Sequence, residues 1–262
     1  MRLTLDDGDV YAYAGARAHD AALRTVVFVH GAANDHSVWA LQSRYFAHHG
    51  FNVLAVDLPG HGRSDGAALG SVEAIADWIP RVLDAAKIDR AAVVGHSMGS
   101  LATLACAARY PERVRKIALI GPAVPMPVSD ALLAAAKEDD HVAFEWINGW
   151  SHSAGKQVGG NQVPGMWMTG SALRLMERTR PGVLHTDLVA CHTYSTGLEA
   201  AKDVRCSTLV ILGGRDVMAP NRNARALIEA LSDKRSVTFQ DTGHALMAEQ
   251  PDAVLDALRE FL

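Results

Sequence analysis

Short apolar runs recur along the first 120 residues without polar alternation. They are VVFVH (26–30), NVLAVD (52–57), AAVVG (91–95) and KIALIG (116–121). A strand with one wet face would alternate, so these valine- and isoleucine-rich runs predict strands buried on both faces of a largely parallel sheet. Helical periods lie between them. SVWALQSRYFAHHG (37–50) predicts a helix with Ser37 as N-cap, ending at Gly50. SVEAIADWIPRVLDAAK (71–87) sets Val72, Ile75, Ile79, Val82 and Ala86 on one helical face, and Pro80 is expected to kink or interrupt it. MGSLATLACAARY (98–110) is apolar nearly all round and predicts a deeply packed helix. The rhythm returns late, with strand TLVILGG (208–214), helix NARALIEAL (223–231), strand SVTFQ (236–240) and a last helix opened by Pro251. At the start, RLTLDDGDVYAYAG (2–15) reads as an antiparallel hairpin turning at Asp7-Gly8.

This alternation predicts an α/β fold with a mostly parallel, doubly wound sheet. Residues 122–205 break it: they hold helical pieces but no buried strand, punctuated by Pro125, Pro127, Gly149, Gly155, Gly159, Gly160, Pro164, Gly165 and Gly170. The expected organisation is a core of residues 1–121 and 206–262 with a mostly helical insertion, 122–205, lying over the sheet. Composition narrows the function. A net charge of −4 leaves no basic footprint for nucleic acid. No run approaches the ~18 apolar residues of a membrane span, and Asp6, Asp7 and Asp9 preclude a signal-peptide core. Cys106, Cys191 and Cys206 are scattered and odd in number, so a disulfide framework or zinc site is not expected and a cytoplasmic location is.

The most informative stretch is VVGHSMGSL (93–101), which places Gly95 and Gly99 around Ser97 where a buried strand passes into a helix. Strand–G-x-S-x-G–helix is a nucleophile elbow: a sharp turn lifts the serine hydroxyl above the sheet, and small flanking residues let strand and helix approach. The helix start directs free N–H groups and the positive end of its dipole to where an oxyanion would form. A serine hydroxyl needs a base, and the base an orienting carboxylate. Among 12 histidines, His244 in FQDTGHALMAEQP lies between the last strand and last helix, and Asp216 in LVILGGRDVMAP follows the preceding strand. Both fall at carboxyl ends of parallel strands, the rim that carries Ser97 and where open α/β sheets bind ligands.

FVHGAA (28–33), DLPGHGRS (57–64), GHSMGS (95–100), YPERVRKIALIG (110–121), LGGRD (212–216) and TGHALMAEQP (242–251) stand in order along the chain. With them the sequence resembles the cap-bearing esterase/lipase group of the α/β-hydrolase fold, over about residues 1–121 and 206–262; the insertion matches only as a helical cap. The resemblance implies a serine hydrolase acting on the carboxylic ester of a small or medium apolar molecule, with Ser97, Asp216 and His244 as triad and no cofactor or metal. It also implies oxyanion donors at the backbone N–H groups of Met98 and Ala32, with Ala33 the near alternative. A serine at 97 argues against the haloalkane dehalogenase and epoxide hydrolase branches, which carry aspartate there. Lactone or enol-lactone hydrolysis, C–C bond hydrolysis, thioester hydrolysis, acyl transfer and non-catalytic ligand binding stay open, with HGAAND less glycine-rich than the C–C hydrolase loop.

Other residues have plainer expected roles. His30 and His96 are expected to hold loops through side-chain hydrogen bonds, and His61 to be a turn histidine lining the pocket. Asp57, Asp187 and Asp241 are rival carboxylates, with Asp241 too near His244 in sequence to face it. H-E-x-x-H is absent. Cys106 reads as core. Trp146, Trp150, Trp167, Met126, Met166, Met168 and Met176 either pack the insertion or line an apolar pocket over Ser97.

Overall fold

The computed structural model describes every residue except Asn161 and Pro164, so the punctuation read at Pro164 lies outside the described residues. Eight strands form one sheet: β1 (Arg2–Leu5), β2 (Gly8–Tyr13), β3 (Arg24–Val29), β4 (Phe51–Val56), β5 (Ala91–His96), β6 (Val114–Ile120), β7 (Ser207–Gly213) and β8 (Lys234–Phe239). Their order is β1-β2-β4-β3-β5-β6-β7-β8. β1 and β2 pair antiparallel, β2 joins β4 antiparallel, and every pairing from β4 to β8 is parallel. The sheet is the doubly wound, mostly parallel one that the uninterrupted apolar runs predict. Central β5 is buried along its whole length, whereas edge strand β8 presents Lys234 and Arg235 to solvent, charges that discourage further strand pairing.

Twelve helices are described: α1 (Ala40–His48), α2 (Val72–Ala85), α3 (Met98–Arg109), α4 (Asp130–Lys137), α5 (His141–Ser151), α6 (Ala154–Gln157), α7 (Met168–Met176), α8 (Val183–Thr193), α9 (Gly197–Asp203), α10 (Asn221–Ala230), α11 (Leu246–Glu249) and α12 (Pro251–Phe261). One face of the sheet carries Trp78, Ile79, Leu101 and Leu104 in a large cluster. The other face packs Phe28, Trp39, Phe46, Ile120, Ile211 and Leu258. Helix α3 is buried from Met98 to Ala107, matching its all-round apolar sequence. The described part of 122–205 contributes six helices, α4 to α9, and a third cluster of Leu132, Ala136, Ile147, Met176, Leu184 and Leu188 that includes Ala33 of the core. No described helix is long and apolar enough to cross a membrane.

Two local expectations are corrected and a third is narrowed. The hairpin turns at Asp6-Asp7, and Gly8 is already the first residue of β2, paired with Leu5. The cap before α1 is Asp35, not Ser37: a 3₁₀ turn, His36–Trp39, precedes the helix, and the Asp35 carboxylate accepts from Ser37 N at 2.8 Å and Ser37 Oγ at 2.5 Å. Helix α2 runs through Pro80 without interruption. An interior proline costs about 3 kcal/mol. Burial of Val72, Ile75, Ile79 and Val82 on one face outweighs it, at roughly 1.5–3 kcal/mol for each large side chain.

Candidate active site

Four parallel strands deliver the candidate site from their carboxyl ends. β3 leads into His30-Gly31-Ala32, β5 into Ser97, β7 into Asp216 and β8 into His244. Ser97 has φ +52 and ψ −120, a left-handed conformation that non-glycine residues rarely adopt, and its amide donates to Ile120 O at 2.9 Å. The flanking glycines are required by close approach: a Cβ on Gly95 would lie 2.1 Å from Gly99 O, and one on Gly99 2.4 Å from Val29 O. Strand β5 and helix α3 therefore meet at the turn as closely as backbones can.

Asp216 and His244 are brought together. His244 Nδ1 lies 2.7 Å from Asp216 Oδ2, and the other carboxylate oxygen accepts from Met218 N at 2.9 Å and Ala219 N at 2.7 Å. Burial opposes the Asp216 charge, but His244 and the amides outweigh it and hold the carboxyl below its ordinary range. An ionised acceptor at Nδ1 fixes the tautomer with the proton there, leaving Nε2 as the lone-pair nitrogen. Among the described residues Nε2 of His244 has no hydrogen-bond partner, and no hydrogen bond links it to Ser97 Oγ; His244 and Ser97 line one cavity of about 460 Å³. The histidine loop is anchored on two sides. His96 Nε2 donates to His244 O at 2.9 Å, and the buried Glu249 carboxylate accepts from Gly243 N at 3.1 Å and Ser153 Oγ at 2.6 Å. Glu249, missed in the sequence, carried no signal there beyond its place near His244.

Ala32 lines the cavity with Ser97, and Gly31 packs so closely that a Cβ there would lie 3.1 Å from Ser97 Cβ. The amides of Ala32 and Met98 have no acceptor among the described residues. Ala33 differs: its N–H donates to Asp187 Oδ2 at 2.9 Å. His30 and His96 act as loop fasteners. His30 Nδ1 donates to Gly31 O and its Nε2 accepts from Leu58 N. Burial, then the neighbouring His244 ring, pushes the His96 imidazole down to about 3, which keeps it neutral. His61 lines neither cavity at the site but pairs with Asp187 at 2.8 Å, a correction to its expected position. Asp57 accepts from both His36 N and His36 Nδ1, at 2.7 Å each, and Asp241 is exposed, 3.8 Å from Arg215.

A second cavity, about 380 Å³, shares His96, Ile147, Ser151 and His244 with the first and extends between α1 and α7. Met166, Met168 and Met176 line it, while Met126 and Trp150 line the Ser97 cavity. Trp146 stacks on Trp150 with ring centroids 6.0 Å apart. Trp167 is 70% exposed and lines neither. Asp35, His36 and Asp57 are the one described group close enough to hold a metal ion, and the hydrogen bonds above already engage all three side chains. Cys106, Cys191 and Cys206 are free thiols; burial pushes Cys106 up to about 12.

Comparison with known proteins agrees with this architecture. Residues 24–251 match the family model described as alpha/beta hydrolase fold, a match that runs across the inter-strand segment. A pimeloyl-[acyl-carrier protein] methyl ester esterase of Neisseria meningitidis is 30% identical over 268 residues, covering 92% of this chain and 94% of its own. A 2-hydroxy-6-oxononadienedioate/2-hydroxy-6-oxononatrienedioate hydrolase of Paraburkholderia phymatum is 42% identical over 106 residues, which is 38% of this chain and 37% of its own. Among solved structures, the enol-lactonase from Burkholderia xenovorans LB400 superposes with a TM-score of 0.88 at 22% identity, covering 100% of this chain and 99% of that one.

Proposed function

The chain belongs to the α/β-hydrolase family, and from that premise we propose that it is a serine hydrolase that cleaves a carboxylic ester through an acyl-enzyme. The observation that carries this reading is the arrangement of three groups. Ser97 stands on a strained turn, in one cavity with a histidine whose Nδ1 is 2.7 Å from a carboxylate and whose Nε2 is unengaged. His244 Nε2 takes the Ser97 proton as Oγ attacks the ester carbonyl. The N–H groups of Ala32 and Met98 receive the oxyanion, each at the ~3 kcal/mol level typical of such donors. Collapse breaks the bond to the alcohol, which leaves with the proton from His244. Water, deprotonated by the same nitrogen, then attacks the acyl-enzyme and releases the acid and free Ser97. Asp216 keeps the tautomer and stabilises the imidazolium throughout. No step calls for a cofactor or metal.

The segment 122–205 serves in this reading as a helical cap over a core of 1–121 and 206–262. The cavity beside Ser97 is walled by Met126, Leu132, Ile147 and Trp150, an apolar surface suited to a small or medium acyl or alcohol group. An ester, more than a C–C bond, is supported by how far the relatives match: the ester-cleaving one along nearly the whole chain, the other along about a third. Free thiols and the absence of a described membrane-spanning helix suit a cytoplasmic enzyme meeting a small-molecule ester. A panel of nitrophenyl esters, lactones and thioesters, run with wild type and Ser97→Ala, tests the reading. The expected result is turnover of esters above the other classes, abolished in Ser97→Ala. Turnover that survives in the folded variant would remove the proposal.

A further inference from the structure

The scheme above leaves one buried charged pair unused. His61, in the turn after β4, and Asp187, on α8, are 126 residues apart and meet at 2.8 Å between Nε2 and Oδ2, both almost wholly buried. The geometry fixes the proton count on His61. Its Nδ1 lies 3.0 Å from Pro59 O, which can only accept, and its Nε2 faces a carboxylate oxygen. A neutral ring has a single N–H, so serving both acceptors requires the imidazolium. His30, with its ring centroid 4.9 Å away, is the opposite case, since it donates to Gly31 O and accepts from Leu58 N as a neutral ring. Burial, then the His61 charge, pushes His30 down to about 4. The groups that face His61 are therefore Asp187 from α8, Asp57 and Pro59 O from its own turn, and neutral His30 from the end of β3. Burial opposes the His61 charge, but Asp187 and its hydrogen bond outweigh it, so the ring titrates above its ordinary value.

The same Asp187 oxygen accepts the Ala33 N–H at 2.9 Å. Ala33 has φ +53, a left-handed conformation that a β-carbon disfavours, and Thr179 Oγ1 donates to its carbonyl at 3.1 Å. Both peptide groups of Ala33 are thus held from the 122–205 segment, one residue beyond the amide assigned to the oxyanion. We propose that the His61–Asp187 ion pair is a positioning device that fixes Ala33, and through it the direction of the Ala32 N–H, so that oxyanion stabilisation depends on His61 keeping its proton. This rests on the reading of Ala32 given above. Loss of the Nε2 proton leaves the one remaining N–H on Nδ1, with Pro59 O, and turns a nitrogen lone pair toward Asp187. The carboxylate then loses its fixed place, and Ala33 its fixed acceptor.

Two measurements on the full chain test this. In ¹⁵N-labelled protein, both ring nitrogens of His61 should carry protons at neutral pH, and the Ala33 amide signal should shift along the same alkaline titration as the ring. In steady-state kinetics, wild-type kcat should fall along that titration with KM nearly constant. His61→Gln, an uncharged donor, should keep near-wild-type kcat and lose the alkaline limb. Asp187→Asn places an amide where two N–H groups converge, and should lower kcat by about 100-fold at every pH, the scale of a slightly misplaced catalytic group, with KM little changed and a native circular dichroism spectrum. A neutral His61 at neutral pH, an Ala33 amide indifferent to the titration, an alkaline limb retained in His61→Gln, or wild-type kcat in folded Asp187→Asn overturns the inference. Absence of ester turnover in wild type would instead defeat the functional reading, and the spectroscopic arm would still decide whether the His61 charge is coupled to Ala33.

Discussion

Two of the three short histidine–aspartate pairs described above are of nearly equal length, 2.7 Å for His244–Asp216 and 2.8 Å for His61–Asp187, yet their rings are engaged differently. His244 has one nitrogen tied to its carboxylate and the other without a partner among the described residues, and in the proposed scheme that nitrogen takes a proton and returns it. His61 has both nitrogens engaged in the interior and, on the proposal above, holds its proton until alkaline pH. Asp216 spends its second oxygen on two amides of its own loop, whereas the single bonded oxygen of Asp187 joins two distant segments. The difference teaches that a short carboxylate–imidazole contact does not mark a base. What the other ring nitrogen meets decides between a proton carrier and a fixed cation.

That contrast can be broken by substitution. Asp216→Asn should lower kcat by about 10⁴-fold with the fold intact, because an amide favours the wrong His244 tautomer; a loss within tenfold would mean that another group orients the base. Asp187→Ala should share the smaller kcat loss expected of Asp187→Asn and also cost about 3–5 kcal/mol of stability, since it strands a buried imidazolium. Chemical denaturation of wild type and variant at neutral pH measures it, and equal midpoints would refute the charged state assigned to His61.

The two pairs should also respond to pH with opposite sign. His61 titrates higher in the folded protein than in the unfolded chain, so its contribution to stability is complete below its ordinary value and is lost as pH rises through the raised one. Asp216 titrates lower when folded, so its contribution is present above the ordinary carboxylate range and is lost as pH falls through the depressed value. The stability gap between wild type and His61→Gln should therefore shrink in alkali, and that between wild type and Asp216→Asn in acid. Denaturation midpoints across pH check both signs. The smallest expected effect is at the cavity wall. Trp150→Ala should shift acyl-chain preference by about tenfold, the scale of one or two methylenes in an apolar pocket, while the more exposed Trp167→Ala leaves the ester profile unchanged.

What could be read from the sequence follows from how local each cause is. The parallel strands announced themselves because β3, β4, β5 and β7 are buried on both faces, and the G-x-S-x-G turn because Gly95, Ser97 and Gly99 are contiguous. Asp216 and His244 could be singled out because each directly follows a strand. His61–Asp187 could not, since its members lie 126 residues apart and the inter-strand helices have no period that fixes how they meet the core. For the same reason a turn histidine expected to line the pocket proved to be buried and paired with Asp187. Pro80 does not interrupt α2 because the packing of that helix overrides the local cost of an interior proline. Asp35 was missed as a cap because a 3₁₀ turn moves the helix start ahead of Ser37.

The central claim is that Ser97 becomes covalently modified with His244 and Asp216 behind it. It is tested most directly by treating wild type, Ser97→Ala and Asp216→Asn with a fluorophosphonate and locating the adduct by peptide mass spectrometry. The account predicts one adduct, on the peptide containing Ser97, formed rapidly in wild type, slowly in Asp216→Asn and not at all in Ser97→Ala. An adduct on another residue, or equal labelling of folded wild type and Ser97→Ala, would contradict it.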